Sequence, residues 1–293
     1  MLYYYAYSSH KYGLDRVRRG VALLKSLQRR GVETGLLVND FRAGLAAGDL
    51  GLSGAVTIET LLDVDAVAQR GDHVILDTPE PLESRLKQYA DHFASLSLVT
   101  DECALQSRFG EILLKPFCKE KEPCIETPMI DSDYVSDFGE RSREREERVL
   151  FIFGDSDYGK EILSHRDFFR AMDMDLLLGY YFFVKYEEEL SQIFHRLYEP
   201  EMYGDLLKER AAILTGSAQC AFEAAAAGVN TAFVCRGGES DCLKRRLEEQ
   251  NIKIIDRFEQ EGVKQWLEME KSGRKNVKII DNISKELKEL LNL

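Results

Sequence analysis

The sequence predicts an α/β protein made of two domains in tandem, each with a parallel sheet covered by helices, facing a central cleft. Short apolar segments alternate with longer amphipathic ones along the 293-residue chain, and such alternation is typical of parallel sheets. The length suits two domains of ordinary size. The alternation of strands and helices is interrupted once, from Phe117 through the mixed-charge run that ends at Arg148. These observations predict four segments: an α/β domain over 1–135, a charged linker over 136–148, an α/β domain over 149–280, and a terminal amphipathic helix over 281–293.

In the first domain, apolar runs followed by turn residues predict five strands: Leu2–Tyr7, Thr34–Val38, Gly54–Ile58, His73–Leu76 and Ser97–Val99. Helical periodicity between them predicts four helices: Arg16–Arg30, Phe41–Ala47, Thr60–Gln69, and one that Pro79 and Pro81 open and that ends near His92. The periodicity then fades from Phe117 to Arg148. Its last part, Glu140–Arg148, has the composition of a solvated connector.

The second domain resumes the same alternation. Its predicted strands are Val149–Phe153, Asp175–Tyr181, Ala211–Leu214, Val229–Cys235, Lys253–Ile255 and, as a last strand or extended segment, Val277–Ile280. Besides an alanine-rich helix after Ser217, the predicted helices are Lys160–Met172, Glu187–Phe194, Met202–Lys208, Leu243–Gln250, Gln260–Glu270 and the terminal Ser284–Leu293.

Charge excludes one broad class of partner. Acidic residues outnumber basic ones by 51 to 39, a formal charge of −12, so no overall field attracts nucleic acid. The exception is the predicted helix Arg16–Arg30, whose six basic side chains would suit an anionic or lipid-linked acceptor and peripheral contact with a membrane. No run of about twenty apolar residues exists, so we expect no transmembrane segment.

The six cysteines form no C-x-x-C pair and have no histidine at metal-ligand spacing. Four of them lie in or beside apolar segments, where a thiol packs as a small hydrophobe. We therefore expect no metal, no cofactor and a reducing, cytoplasmic location.

The most informative segment runs from Thr215 to Asp241. Gly216 and Ser217 open the alanine-rich helix, Gly228 ends it, and the next strand leads into Arg236. This is a strand–helix–strand unit, whose turns at the carboxyl ends of the strands are where α/β sheets bind ligands, and the N–H groups at a helix start attract phosphate.

Two charged side chains in this segment have alternative interpretations. Glu223 would accept the two hydroxyls of a ribose, or it is an exposed glutamate on a helix surface. Arg236 would bind phosphate in a bidentate manner, or it pairs with Glu239 or Asp241.

Three further turns follow predicted strands. Gly154, Asp155, Ser156 and Asp157 follow the first strand of the second domain, either as a ligand turn or as an ordinary turn with an Asp cap. The segment from Ser8 to Arg18 follows the first strand of the chain and carries His10 and Asp15. Asp77 ends another strand and would face the cleft or cap the next helix.

Together these motifs resemble a glycosyltransferase-B architecture, with two Rossmann-like domains. More narrowly, they resemble the UDP-sugar hydrolase of pseudaminic acid synthesis and related spore-coat polysaccharide proteins. Both are relatives of the N-acetylglucosaminyltransferase that makes lipid II. The resemblance covers most of the chain at low identity and implies a cytoplasmic UDP-sugar protein of surface polysaccharide biosynthesis.

The resemblance assigns roles in the second domain. Glu223 would hold the uridine ribose, Gly216 and Ser217 would approach the diphosphate, and Asp241 lies in the family's polar loop. Gly154 and Ser156 match the family's Gly-Gly-Thr/Ser-Asp turn, where Asp155 replaces the second glycine. A carboxylate there repels phosphate, so the turn holds another group or Asp155 points outward.

In the first domain, Ser8, Ser9 and Arg18 match the family, but Asp15 stands where the family has its catalytic histidine. Asp15 or His10 would then activate water, and Arg18 would face the cleft or a carboxylate. Three functions follow: hydrolysis at the anomeric carbon with release of UDP, a glycosyltransferase, or a non-catalytic nucleotide-sugar binder.

Overall fold

The computed structural model describes residues 1–80, 83–120, 122–135, 145–269 and 282–291, which form two compact units. The first unit groups Met1–Ser9, Arg16–Ser132 and Ile280–Leu293. The second unit groups His10–Asp15 with Asp133–Ile279. The terminal helix therefore packs with the first unit, and the segment His10–Asp15 makes its contacts within the second.

The first unit contains a seven-stranded parallel sheet in the order β3-β2-β1-β4-β5-β6-β7. Its strands are β1 Leu2–Ala6, β2 Thr34–Val38, β3 Val56–Thr57, β4 His73–Asp77, β5 Ser95–Val99, β6 Ile112–Lys115 and β7 Cys124–Glu126. Its helices are α1 Asp15–Arg29, α2 Phe41–Asp49, α3 Val64–Val67, α4 Glu83–His92 and α12 Asn282–Leu291.

Two features of the first unit differ from expectation. The predicted helix Thr60–Gln69 is a 3₁₀ turn, Leu61–Asp63, followed by the four-residue α3, because Thr60 and Asp63 form a capping box around that turn. Strands β6 and β7 were not predicted at all. They are short, and the prolines between them mask the pattern.

The second unit contains a six-stranded parallel sheet in the order β10-β9-β8-β11-β12-β13. Its strands are β8 Leu150–Ile152, β9 Asp175–Leu177, β10 Leu197–Tyr198, β11 Ala212–Thr215, β12 Asn230–Val234 and β13 Lys253–Ile255. Its helices are α5 Glu161–Ser164, α6 Arg166–Met172, α7 Val184–Leu190, α8 Tyr203–Glu209, α9 Ala218–Ala226, α10 Asp241–Glu249 and α11 Gln260–Met269.

The second unit differs from expectation at two places. The predicted helix Lys160–Met172 is divided at His165 into α5 and α6, and the two-residue β10 was not predicted. The predicted segment Val277–Ile280 lies outside the described residues, as does most of the charged linker.

Both units share one topology, which confirms the predicted fold class of two parallel α/β domains. In each, the first strand is central and the second and third lie on one side. The fourth to seventh strands of the first unit, and the fourth to sixth of the second, lie on the other side. The strand order therefore reverses between β1 and β4 and again between β8 and β11. Such topological switch points, at the carboxyl ends of the strands, are where doubly wound sheets bind ligands.

Each unit has its own apolar core beneath its helices. The first is built around Tyr5, Leu37 and Tyr89. The second is richer in aromatic rings, with Phe151 and Phe169 packed 4.6 Å apart between ring centroids. Burial of one such side chain contributes about 1.5–3 kcal/mol, so these cores hold the strand ends in fixed positions.

A disulfide joins Cys118 to Cys124, with the Cα atoms 5.7 Å apart. It closes the short connection from β6 to β7 in the first unit. The expectation of reduced thiols is therefore wrong for this pair. The sequence gives no sign of it because the two cysteines are brought together only by the return of the chain to the parallel strand β7.

Two kinds of feature are absent from the described residues. No helix among them is both long and apolar enough to cross a membrane. No cluster of three or more His, Cys, Asp or Glu side chains among them is arranged to hold a metal ion.

Candidate functional site

Two glycine-containing turns meet at the switch point of the second unit. Strand β8 leads into Phe153–Asp157, and β11 leads into Gly216 and Ser217; we call these segments the switch-point turns. The N–H of Gly216 donates to the carbonyl of Ile152 over 3.0 Å, so the turns remain paired beyond the strands. A Cβ on Gly216 would lie 2.9 Å from the carbonyl oxygen of Phe153. This close backbone approach explains why glycine stands there.

Gly154 meets a different requirement in the first of these turns. Its φ is +117°, a backbone conformation that side chains with a Cβ rarely adopt. A Cβ on this residue would also lie 3.9 Å from Cβ of Ser217. The structure thus brings together Gly154, Gly216 and Ser217, as expected for a single site at the carboxyl edge.

Ser217 caps the N-terminus of α9, as its sequence position predicts. Its Oγ accepts a hydrogen bond from the N–H of Cys220 over 3.0 Å, and Gly228 ends the C-terminal side of the helix with φ +71°. The alanines of α9 let the helix lie buried against the sheet. The positive end of the helix dipole therefore points at the switch-point turns, where it favours an anion.

Asp15 lies at this same helix end. The hydroxyl of Ser217 donates to its Oδ1 over 2.6 Å, so one serine both caps α9 and orients the Asp15 carboxylate. The segment that carries Asp15 also reaches the other turn, because Gly13 lies close to the backbone N of Asp155. Of the residues predicted to activate water, Asp15 is the one in direct contact with a switch-point turn through its side chain.

His10 reaches the site through its backbone. Its carbonyl accepts a hydrogen bond from the Ser156 hydroxyl. Its ring packs on Tyr181, with centroids 4.8 Å apart, and lies 6.2 Å from that of Phe183. Ser156 and His10 therefore tie the segment His10–Asp15 to the first switch-point turn, and the imidazole rests in an aromatic environment.

The acidic residues of the first turn have structural partners. Asp157 accepts backbone hydrogen bonds from Glu161 over 2.7 Å and Ile162 over 3.0 Å, and a third from the Tyr186 hydroxyl. This is the Asp cap that the sequence allowed. Asp155 is only 4% exposed, so the interpretation in which it points outward is wrong.

Arg236 lies across the same edge from the loop after β12. Its guanidinium stacks over the ring of Phe153, 3.9 Å from the centroid, and its Nε is 3.8 Å from Glu161. Burial raises the pKa of Glu161, and the charge of Arg236 partly opposes that shift. Glu239 instead accepts from the backbone N–H groups of Arg236 and Gly237, so this pairing leaves the Arg236 guanidinium facing the switch-point turns.

Asp241 lies further out on that loop. It is exposed and is the first residue of α10, after the cap Ser240. An acidic side chain in the first turn of a helix is stabilised by the helix dipole, which accounts for its position without a ligand.

Glu223 is buried rather than exposed on a helix surface. Its exposed fraction is 1%, and it projects from the second turn of α9. One carboxylate oxygen accepts from the hydroxyl of Tyr203, and the other accepts from Nε2 of Gln219 over 2.8 Å. The Gln219 contact was readable from the sequence as an i, i+4 pair. The Tyr203 contact was not, because α8 supplies it.

The switch point of the first unit is filled by its own side chains. Asp77 is 1% exposed and accepts from the Tyr4 hydroxyl over 2.6 Å and from Nη2 of Arg19 over 2.7 Å. Arg16 adds a contact of 3.4 Å. Burial, and then the neighbouring Asp77, raise the pKa of Tyr4 well above its usual range. These contacts hold the Asp77 carboxylate against β1 and α1. A ligand role for Asp77 stays a prediction.

Arg18 was expected to meet a carboxylate or a ligand. It is 6% exposed on the buried face of α1. The ion pairs with Asp77 come from Arg16 and Arg19, which lie one helical turn apart on the face that points to β4.

No family model matches the sequence, and no curated protein is significantly similar to it. Solved structures match over 92–100% of the chain at 10–13% identity. The UDP-GlcNAc 2-epimerase of Methanocaldococcus jannaschii, solved with UDP-GlcNAc and UDP, matches with a TM-score of 0.61 and 10% identity, covering 100% of this chain and 99% of its own.

Two further structures extend the likeness. MurG of Acinetobacter baumannii gives a TM-score of 0.53 at 11% identity, covering 99% of this chain and 98% of its own. The ADP-heptose LPS heptosyltransferase II of E. coli gives 0.50 at 12% identity, covering 93% and 100%. At such identities the likeness shows the fold alone: this chain has the glycosyltransferase-B fold, which its structural neighbours use to act on nucleotide sugars.

Proposed function

We propose that the protein binds a UDP-linked sugar at the carboxyl edge of the second unit and hydrolyses it at the anomeric carbon, releasing UDP. The observation that carries the proposal is the pair of switch-point turns. They bring a helix N-terminus and the Arg236 guanidinium to one place, and each of these favours a diphosphate. The structural neighbour solved with UDP-GlcNAc and UDP supports the choice of nucleotide.

The proposed arrangement gives each residue a role. The diphosphate lies at Gly216 and Ser217, beside the Arg236 side chain, whose Cδ is 3.2 Å from where a Cβ on Gly216 would be. Arg236 neutralises its charge. Gly154 and Ser156 line the opposite turn, which holds a part of the ligand other than phosphate because the Asp155 carboxylate is buried there. Glu223 accepts the ribose hydroxyls once its present hydrogen bonds are exchanged. The sugar extends toward Asp15 and His10.

Asp15 supplies the chemistry in this proposal. Its carboxylate takes a proton from water while the water oxygen forms a bond to the anomeric carbon. The bond from that carbon to the diphosphate oxygen breaks, UDP leaves with the electron pair, and the proton passes from Asp15 to solvent. The hydrogen bond from Ser217 fixes the orientation of the base.

Measuring UDP release from a panel of UDP-amino sugars, with Asp15→Asn as the test variant, would test this mechanism. We expect the variant to lose at least about a hundredfold in rate, the usual contribution of a general base, while keeping its affinity for UDP. Asp167→Asn is the matched control, because Asp167 is exposed in the first turn of α6. An unchanged rate in Asp15→Asn would rule out this role.

Two other functions use the same site. A glycosyltransferase of this fold would release UDP only when an acceptor is present, and the heptosyltransferase among the structural neighbours favours including that test. A non-catalytic binder would bind UDP without turnover. The hydrogen bonds that already engage Asp15 and Glu223 are the observation in favour of this alternative.

A further inference from the structure

We propose that Tyr203 occupies the place of a sugar diol on Glu223 and must be displaced before a nucleotide can engage that carboxylate. This inference rests on the proposed function, because it concerns the ribose end of the same site. It makes Tyr203 a residue that sets both the affinity for ribonucleotides and the discrimination against nucleotides that lack the diol.

Glu223 is inaccessible in the present arrangement. The residue is 1% exposed, and the donors Tyr203 and Gln219 are 2% and 4% exposed. Each donor binds a different carboxylate oxygen. An incoming diol therefore has no route to the carboxylate until one of these side chains moves.

Tyr203 is the donor that can leave. Gln219 stands one helical turn before Glu223 on α9 and moves with it. Tyr203 comes from α8, a helix of seven residues that follows a 3₁₀ turn over Pro200–Met202 near the surface. The ring of Tyr134 packs edge-on against it, with centroids 6.0 Å apart. A short helix with a surface turn before it opens at lower cost than the buried α9.

The exchange is chemically matched. A phenol O–H and a ribose hydroxyl each donate one hydrogen bond to a carboxylate. Displacing Tyr203 therefore leaves no buried charge unsatisfied, provided that a hydroxyl takes its place. A nucleotide without hydroxyls at these positions cannot compensate, since it would leave the Glu223 carboxylate short of a donor.

The test compares binding of UDP and of 2′,3′-dideoxy-UDP to the full chain by calorimetry. Tyr203→Phe keeps the ring and removes the competing hydroxyl. We expect this variant to bind UDP about tenfold more tightly. The wild type must break the hydrogen bond from Tyr203 to Glu223 before UDP binds, whereas the variant has no such bond to break, and one hydrogen bond to a charged group accounts for a difference of this size. Its affinity for 2′,3′-dideoxy-UDP should stay unchanged, so the preference for the diol should rise by the same factor.

Tyr198→Phe is the matched control. Tyr198 is also a buried tyrosine of the second unit, and its hydroxyl lies 3.5 Å from a buried carboxylate, that of Asp175. Because it lies away from α9, this variant should bind both nucleotides as the wild type does.

Hydrogen exchange on the wild type gives a second readout that needs no variant to fold. Addition of UDP should speed exchange of the α8 amides and slow exchange at residues 216–220. A folded Tyr203→Phe protein with unchanged or weaker affinity for UDP would overturn the inference. An exchange rate of the α8 amides that UDP leaves unchanged or lowers would also overturn it. If UDP binds the wild type and Arg236→Ala weakens it, only the role of Tyr203 fails; if UDP does not bind at all, the proposed function fails with it.

Discussion

The two units have the same strand order but use their switch points differently. In the first unit, Asp77 at the end of β4 is held by Arg19, Arg16 and Tyr4. In the second unit, the ends of β8 and β11 carry glycines, a helix N-terminus and an arginine stacked on Phe153. Topology therefore marks both places as candidates, and the side chains decide which of them can admit a ligand.

The largest expected effect is the loss of unfolding free energy when the ion pair between Arg19 and Asp77 in the first unit is broken. Arg19→Met would leave the Asp77 carboxylate buried with fewer donors, and breaking one side of a buried pair costs about 3–5 kcal/mol. Denaturant unfolding, read with hydrogen exchange in the first unit, would measure the loss.

Arg85→Met is the control for that experiment. Arg85 forms a half-exposed ion pair with Asp65 at 3.7 Å, and such pairs contribute less than about 1 kcal/mol. Equal losses in the two variants would show that the Asp77 cluster does not hold the first switch point closed.

Substitution of Gly216 tests the second switch point. In Gly216→Ala the new methyl group would lie 2.9 Å from the Phe153 carbonyl and 3.2 Å from Cδ of Arg236. Overpacking of this kind costs about 1–3 kcal/mol, and a displaced Arg236 should reduce the affinity for UDP at least about tenfold, or 1.4 kcal/mol.

Gly159→Ala serves as the control in the neighbouring loop, because nothing lies within 4 Å of the added Cβ. Calorimetry with UDP and thermal unfolding of both variants would distinguish them. Full affinity in Gly216→Ala would mean that the position of Arg236 beside this turn does not affect UDP binding.

The disulfide Cys118–Cys124 should affect the stability of the first unit and leave that of the second unit unchanged. Replacing Cys118 and Cys124 with serine removes the closure of a short loop, an effect of about 2 kcal/mol for this loop length. Hydrogen exchange should become faster at β6 and β7 and stay unchanged in the second unit. Cys235→Ser, in the second unit, is the control; loss of protection throughout the chain would contradict a local role.

The smallest expected effect is a pH dependence at the opposite edge of the first unit. Burial, and then the N-terminal ammonium, lower the pKa of His73 below its usual value. Because the unfolded chain then binds the proton more tightly, stability should be constant above about pH 6.5 and fall as the pH drops below it.

The slope at His73 should stay below about 1.4 kcal/mol per pH unit, the limit for one proton. Unfolding measured from pH 7.5 to 5 should show a shallower slope in His73→Gln, which lacks the imidazole. If His73→Gln shows the same slope as the wild type, the pH dependence of stability comes from other groups.

Local sequence signals were sufficient for the second switch point. Gly216, Ser217 and Gly228 each have a conformational or capping role that a residue's own chemistry dictates, so the strand–helix–strand unit was predicted with its caps. The alternation of strands and helices was likewise enough for the fold class.

The side-chain partners that could not be predicted from the sequence come from contacts between segments distant along the chain. Asp77 ends a strand in the manner of a ligand residue, and only the packing of α1 brings Arg19 to it. The hydrogen bond of Glu223 likewise depends on a distant segment, because Tyr203 reaches it from a separate helix. The β6–β7 connection and its disulfide depend on the chain returning to the sheet. None of these pairings has a periodic signature.

Hydrogen exchange with and without UDP tests most directly whether the second switch point alone binds the nucleotide. We predict slower exchange at residues 153–157 and 216–220, and no change at the ends of β1 and β4. Protection confined to the first unit, or no protection anywhere at saturating UDP, would contradict the assignment of the ligand site to the second unit.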